Sequence, residues 1–152
     1  GVDYMNTKGL AHVAIMSYDY NKTIQFYRDV FDFKIGHHWA LPSFKINDAT
    51  MLISPDGVTC IEIFDRDAEV PAQGLKSKDK KDVRYGALLH FALYVDDVDA
   101  IYEKALAHGA KPVAPPDELH LGTPILDVYN AVFEGLNGEI IEVIKNVSFK
   151  VK

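Results

Sequence analysis

The sequence predicts an α+β protein assembled from two βαβββ modules. Three observations predict it: an internal repeat of about 80 residues, the same order of strand-like and helix-like stretches in each half, and a histidine and a glutamate at equivalent places in both.

The repeat shows in two segments. His12-Val13-Ala14-Ile15-Met16 aligns with His90-Phe91-Ala92-Leu93-Tyr94, 78 residues further on. Cys60-Ile61-Glu62-Ile63-Phe64 aligns with Ile140-Ile141-Glu142-Val143-Ile144, at an offset of 80. Asp56-Gly57 answers Asn137-Gly138 one residue out of step, as a loop insertion would make it. One His-x-Ala match carries little weight. A second match at nearly the same interval points to duplication.

The elements follow in order. Residues 10–17 are apolar and rich in β-compatible side chains, which predicts a strand. Asp19 then offers an N-cap, and Ile24, Phe26, Tyr27, Val30 and Phe31 recur at helical spacing, with Phe26 and Tyr27 expected in the core. Strands are expected at 33–40, 44–53 and 58–64, separated by Pro42-Ser43 and Pro55-Asp56-Gly57. The second half predicts a strand at 88–95 and then a helix capped by Asp96 or Asp97. That helix carries Val98, Ile101, Tyr102, Ala105 and Leu106 and stops at Gly109. Strands near 111–114, 126–134 and 139–146 complete it. The modules cover about 9–66 and 87–146 of a single domain at 9–146. The polar loop joining them, 67–86, holds Lys76, Lys78, Lys80, Lys81 and Arg84 and reads as a solvated linker, or as a lid.

Composition narrows the class of function. With 152 residues and 48% hydrophobic content, the chain can bury a sizeable core. A formal net charge of −6 argues against nonspecific nucleic-acid binding. No apolar run approaches the roughly 18–20 residues of a membrane span, and the opening residues lack an apolar signal core. The expected compartment is therefore the cytoplasm, and no membrane partner is expected. Cys60, the single cysteine, excludes an intramolecular disulfide.

His12, Glu62, His90 and Glu142 stand out because each interrupts an apolar strand. Glu62 lies between Ile61 and Ile63, and Glu142 between Ile141 and Val143. A carboxylate buried alone in such company costs several kcal/mol unless it neutralises or meets a cation. Singly, each residue reads as a solvent-facing glutamate or a satisfied histidine. Repeated in both halves, the four suggest convergence about a pseudo-twofold axis. Two imidazoles and two carboxylates suit a borderline divalent ion such as Zn²⁺, Ni²⁺, Co²⁺, Fe²⁺ or Mn²⁺.

From about 9 to 146 the sequence resembles the vicinal oxygen chelate superfamily, the glyoxalase fold. The resemblance rests on Gly9-Leu10-Ala11-His12-Val13-Ala14, on Phe26-Tyr27-Arg28-Asp29-Val30-Phe31, on the stretch from Leu89 to Val98, and on Gly138-Glu139-Ile140-Ile141-Glu142-Val143. It implies paired βαβββ modules forming a cup-shaped mixed sheet, with His12, Glu62, His90 and Glu142 as the metal ligands. Two departures fall in turns: Asp32 stands where the family has glycine, and Leu136-Asn137 replaces Pro-Asp.

The resemblance further implies a glyoxalase I-like lyase or isomerase. In such enzymes a substrate with adjacent oxygens meets the metal, and a proton moves alpha to a carbonyl through a metal-bound enediolate. Glu62 or Glu142 is the expected catalytic base. No cofactor pocket besides the metal site is legible, and the thiol partner is left open. An acyl-CoA epimerase-like enzyme is the alternative, although such enzymes commonly carry Gln at the Glu62 position. Dioxygenases and fosfomycin-type enzymes resemble a His-His-Glu triad, which Glu62 exceeds. A non-catalytic small-molecule binding or resistance protein is the alternative from another class. Homodimers are frequent in the family, so the resemblance implies a homodimer.

Three further clusters read first as ordinary structure. Strand alternation sends His37 and Trp39 to one face and His38 to the other. Asp117, Glu118 and His120, after Pro115-Pro116, read as a polar loop or a pocket rim. Cys60 shares a strand face with Glu62 and reads as a packed small residue.

Overall fold

The computed structural model describes residues 9–71 and 88–149. The chain divides into two compact units, Gly1–Ala68 and Glu69–Lys152. The basic cluster between Lys76 and Arg84 lies outside the described residues. No helix among the described residues is long and apolar enough to cross a membrane.

The first unit runs β1 (Val13–Met16), α1 (Tyr20–Phe31), β2 (Lys34–Leu41), a 3-10 turn (Pro42–Phe44), β3 (Ile46–Ile53) and β4 (Cys60–Phe64). The second runs β5 (Phe91–Val95), α2 (Val98–Ala107), β6 (Lys111–Leu121), β7 (Leu126–Glu134) and β8 (Ile140–Lys145). Each unit holds a four-stranded mixed sheet, ordered β1-β4-β3-β2 and β5-β8-β7-β6. In each, the first strand pairs in parallel with the last, and the other pairs are antiparallel. The predicted α+β class and the two βαβββ modules are thus the observed architecture.

Local chemistry sets the helix ends. Asp19 caps α1 by accepting a hydrogen bond from Lys22 N–H, and Asp97 caps α2 by accepting one from Ala100 N–H. Asp32 closes α1 in the left-handed region at φ 57°. Aspartate tolerates that conformation better than most residues, so the turn forms without the family's glycine. Gly109, at φ 101°, follows α2 as expected.

The core of each unit lies between its helix and one sheet face. Leu52, Ile61 and Ile63 are buried in the first unit, together with Tyr27 and Val30 of α1. The register puts Ile61 beside Leu52, and Ile63 beside Thr50. Tyr20 at the start of α1 shares a hydrogen bond with Thr50, which identifies this as the helix-covered face. In the second unit, Phe133 and Ile141 pair across strands, and the ring of Tyr102 on α2 lies 6.4 Å from that of Phe133.

The largest departure from expectation is β6. The sequence predicts a strand at 111–114 followed by a polar loop, whereas the strand continues to Leu121. Pro115 and Pro116 fall within a register shift between Ala114 and Asp117, on a strand at the sheet edge. Neither position has to donate to the ladder there, so the proline pair is tolerated. The outer strands are also shorter than expected. β1 and β5 begin only at Val13 and Phe91, where pairing with β4 and β8 begins.

Candidate metal centre

Each unit brings one histidine against one glutamate. His12 Nε2 lies 3.5 Å from Glu62 Oε1, and His90 Nε2 lies 3.5 Å from Glu142 Oε1. Both histidines stand immediately before a paired strand, and both glutamates sit in mid-strand. In register, Glu62 lies between Ala14 and Met51, and Glu142 lies between Ala92 and Val132. Alternation therefore turns each glutamate to the face opposite its unit's helix, while its neighbours Ile61, Ile63, Ile141 and Val143 fill the core. The glutamate side chains are 14% and 17% exposed, and those of the histidines 40% and 45%. The match between units extends from sequence to geometry.

The donor chemistry fits a divalent ion. Two donors bound to one ion at about 2.1 Å stand roughly 3.0–3.4 Å apart, depending on coordination geometry. The 3.5 Å separation within each pair is close to that spacing. Neutral imidazole and carboxylate are ligands of borderline metals such as zinc, nickel, cobalt, iron and manganese.

The face that carries Glu62 has further features. Cys60 and Phe64 share it by alternation, and Phe64 pairs with Ala49, which pairs with Trp39. Trp39 meets Phe64 edge-on at 6.4 Å, and His37 stacks on Trp39 at 5.5 Å. His38 points the other way and meets Asp48 at 3.1 Å. The predicted division of His37 and Trp39 from His38 is the observed one. A register shift between Ile35 and His38 accommodates Gly36, where a Cβ atom would stand 2.9 Å from the carbonyl oxygen of Met51.

The residues after Pro115-Pro116 do not form a loop or a single rim. Asp117 pairs with Asn130, and Glu118 with Tyr129, so they leave opposite faces of β6. His120 donates from Nδ1 to Asp127 Oδ1 at 2.6 Å. That hydrogen bond, with the carboxylate's charge, raises the His120 pKa above its ordinary value. Asp127 escaped sequence reasoning; only the pairing of β6 with β7 reveals it.

Comparison with curated proteins found no match. Among solved structures, the chain is similar to a glyoxylase/bleomycin resistance protein/dioxygenase domain from Frankia sp. EAN1pec. The TM-score is 0.66 at 16% identity, covering 93% of this chain and 100% of that one. It is also similar to a mutant of the fosfomycin resistance protein FosX from Listeria monocytogenes, complexed with Mn(II) and 1S,2S-dihydroxypropylphosphonic acid. There the TM-score is 0.63 at 16% identity, covering 93% and 95%. A mutant glyoxalase I from Zea mays gives a TM-score of 0.66 at 19% identity, with 91% of this chain covering 44% of that one. At these identities the likeness establishes the fold. The Glyoxalase/Bleomycin resistance protein/Dioxygenase superfamily model matches residues 9–134, most of both βαβββ modules. The chain belongs to the Glyoxalase/Bleomycin resistance protein/Dioxygenase superfamily.

Proposed function

We propose that His12, Glu62, His90 and Glu142 supply the protein ligands of one divalent ion, and that the chain is a glyoxalase I-like lyase or isomerase. The observation that carries this reading is the duplicated pair: the same histidine–glutamate contact, at 3.5 Å, in both units. Duplication without a shared task would leave little reason to keep two carboxylates flanked by buried aliphatics. The superfamily membership supports the reading, and the second carboxylate, Glu62, favours the glyoxalase I type over a His-His-Glu centre.

The proposed substrate is a small molecule with two adjacent oxygens. When bound, the ion supplies Lewis acidity that stabilises negative charge at the substrate carbonyl oxygen. His12 and His90, whose Nε2 atoms face the glutamates, would hold it. Glu62 or Glu142 takes the proton from the carbon beside the carbonyl and returns it to the neighbouring carbon. The buried Ile61, Ile63, Ile141 and Val143 hold both glutamate backbones rigidly in their ladders, so the carboxylates need little reorganisation.

Loading the protein with Ni²⁺, Zn²⁺, Co²⁺, Fe²⁺ or Mn²⁺ and incubating it in D₂O tests the reading. The substrates are hemithioacetals of methylglyoxal, α-hydroxy-ketones and thioesters. Isomerisation, or deuterium entering the carbon beside the carbonyl, is the expected result. The absence of both with every metal and substrate class contradicts it.

A further inference from the structure

The β6–β7 hairpin carries a second set of donors. Glu118 and His120 are two residues apart on β6, so both leave the same face. His120 is the cross-strand partner of Asp127, which brings that carboxylate to the same face. One ligand atom from each of the three lies within 4.8 Å of the other two. Tyr129, the partner of Glu118, donates to Asp99 in the first turn of α2 at 2.6 Å. This is therefore the helix side of the sheet. Glu142, in register with Val132, emerges on the opposite side. The sheet itself separates this cluster from the His90–Glu142 pair.

We propose that Glu118, His120 and Asp127 form a second divalent-cation site, one that takes a zinc-like ion. The imidazole distinguishes it from a patch of carboxylates, which would favour hard ions such as Ca²⁺ or Mg²⁺. One histidine and two carboxylates, with water completing the shell, is a donor set that zinc accepts. Donors on one ion stand roughly 3.0–3.4 Å apart, and all three side chains are exposed, so rotamer adjustment can close the difference. The backbone needs no such adjustment: the ladder between His120 and Asp127 already fixes the strands. The ion takes the place of the proton that His120 shares with Asp127, and that proton leaves to solvent. The formal net charge of −6 favours cation capture.

Equilibrium dialysis against Zn²⁺ alone tests the proposal by difference. Wild-type chain, with His12, Glu62, His90 and Glu142 intact, is compared with His120→Ala and with Asp127→Asn. Both changes are at exposed positions, and circular dichroism of each variant checks that the fold is kept. Wild type is expected to bind about one Zn²⁺ per chain more than His120→Ala, and Asp127→Asn to bind that ion at least ~10–100-fold more weakly. Equal stoichiometry and affinity in all three chains overturns the site. Because the comparison is a difference, it holds whether or not the histidine–glutamate pairs bind metal.

Discussion

Where Glu142 is the base, Glu142→Gln is expected to lower proton exchange at the substrate carbon by about 10²–10⁴-fold, the usual contribution of a positioned general base, and to leave the fold unchanged. Glutamine keeps the size of the side chain and removes its basicity. Its neighbours Ile141 and Val143 are fully buried and stay so, and circular dichroism and urea unfolding should match the wild type. The loss should appear in kcat and kcat/KM together, because the interaction belongs to the transition state. Glu62→Gln is the necessary companion, since Glu62 occupies the equivalent place against His12. A large loss in one variant identifies the base. Unchanged exchange in both would sink the proposed mechanism.

The second large effect concerns stability. Asp65 follows β4 directly and is buried, with 8% of its surface exposed. Its Oδ1 accepts hydrogen bonds from the backbone N–H groups of Asn47 at 3.1 Å and Asp48 at 3.3 Å. Its Oδ2 accepts from Asn47 Nδ2 at 3.1 Å and Asp67 N–H at 3.3 Å. The carboxylate thus ties the start of β3 to the end of β4. Burial alone would raise its pKa, but the donors from Asp48, Asp67 and Asn47 outweigh burial and hold it below the ordinary value. A depressed folded-state pKa stabilises the fold above the unfolded-state value, about 3.9, and that contribution is lost as pH falls through the folded-state value. Asp65→Ala leaves several donors without their acceptor and should cost about 3 kcal/mol at neutral pH. Urea unfolding from pH 7 down to pH 3 should show the gap between variant and wild type narrowing below about pH 4. A gap independent of pH would place the stabilisation elsewhere than in the ionised carboxylate.

Much of this architecture was legible because the repeat exposes it twice. Glu62 and Glu142 stand out between aliphatic neighbours in both halves, and Asp19 marks the first helix start, while the second is narrowed only to Asp96 or Asp97. The extension of β6 was not legible. Pro115-Pro116 is ordinarily a strand terminator, and only an edge position with a register shift makes it tolerable. The cluster of Glu118, His120 and Asp127 was half legible for the same reason. Glu118 and His120 stood out as polar residues, but Asp127 joins them through a cross-strand pairing that local sequence does not encode. The turn before β8 shows a similar substitution. Where Leu136-Asn137 departs from the family's Pro-Asp, the Glu139 carboxylate accepts from Asn137 N–H at 2.9 Å, and Gly138 turns at φ 91°.

Metal content decides whether the two histidine–glutamate pairs share one ion. Elemental analysis is made on loaded and dialysed protein carrying His120→Ala, so that the hairpin cluster contributes no ion. The same background is then combined with His12→Ala or with Glu142→Ala, one residue from each unit. About one divalent ion per chain is expected in the parent and lost in both variants, as the proposal that one ion draws ligands from both histidine–glutamate pairs requires. No ion in the parent, or two ions of which each variant loses only its own, would contradict it.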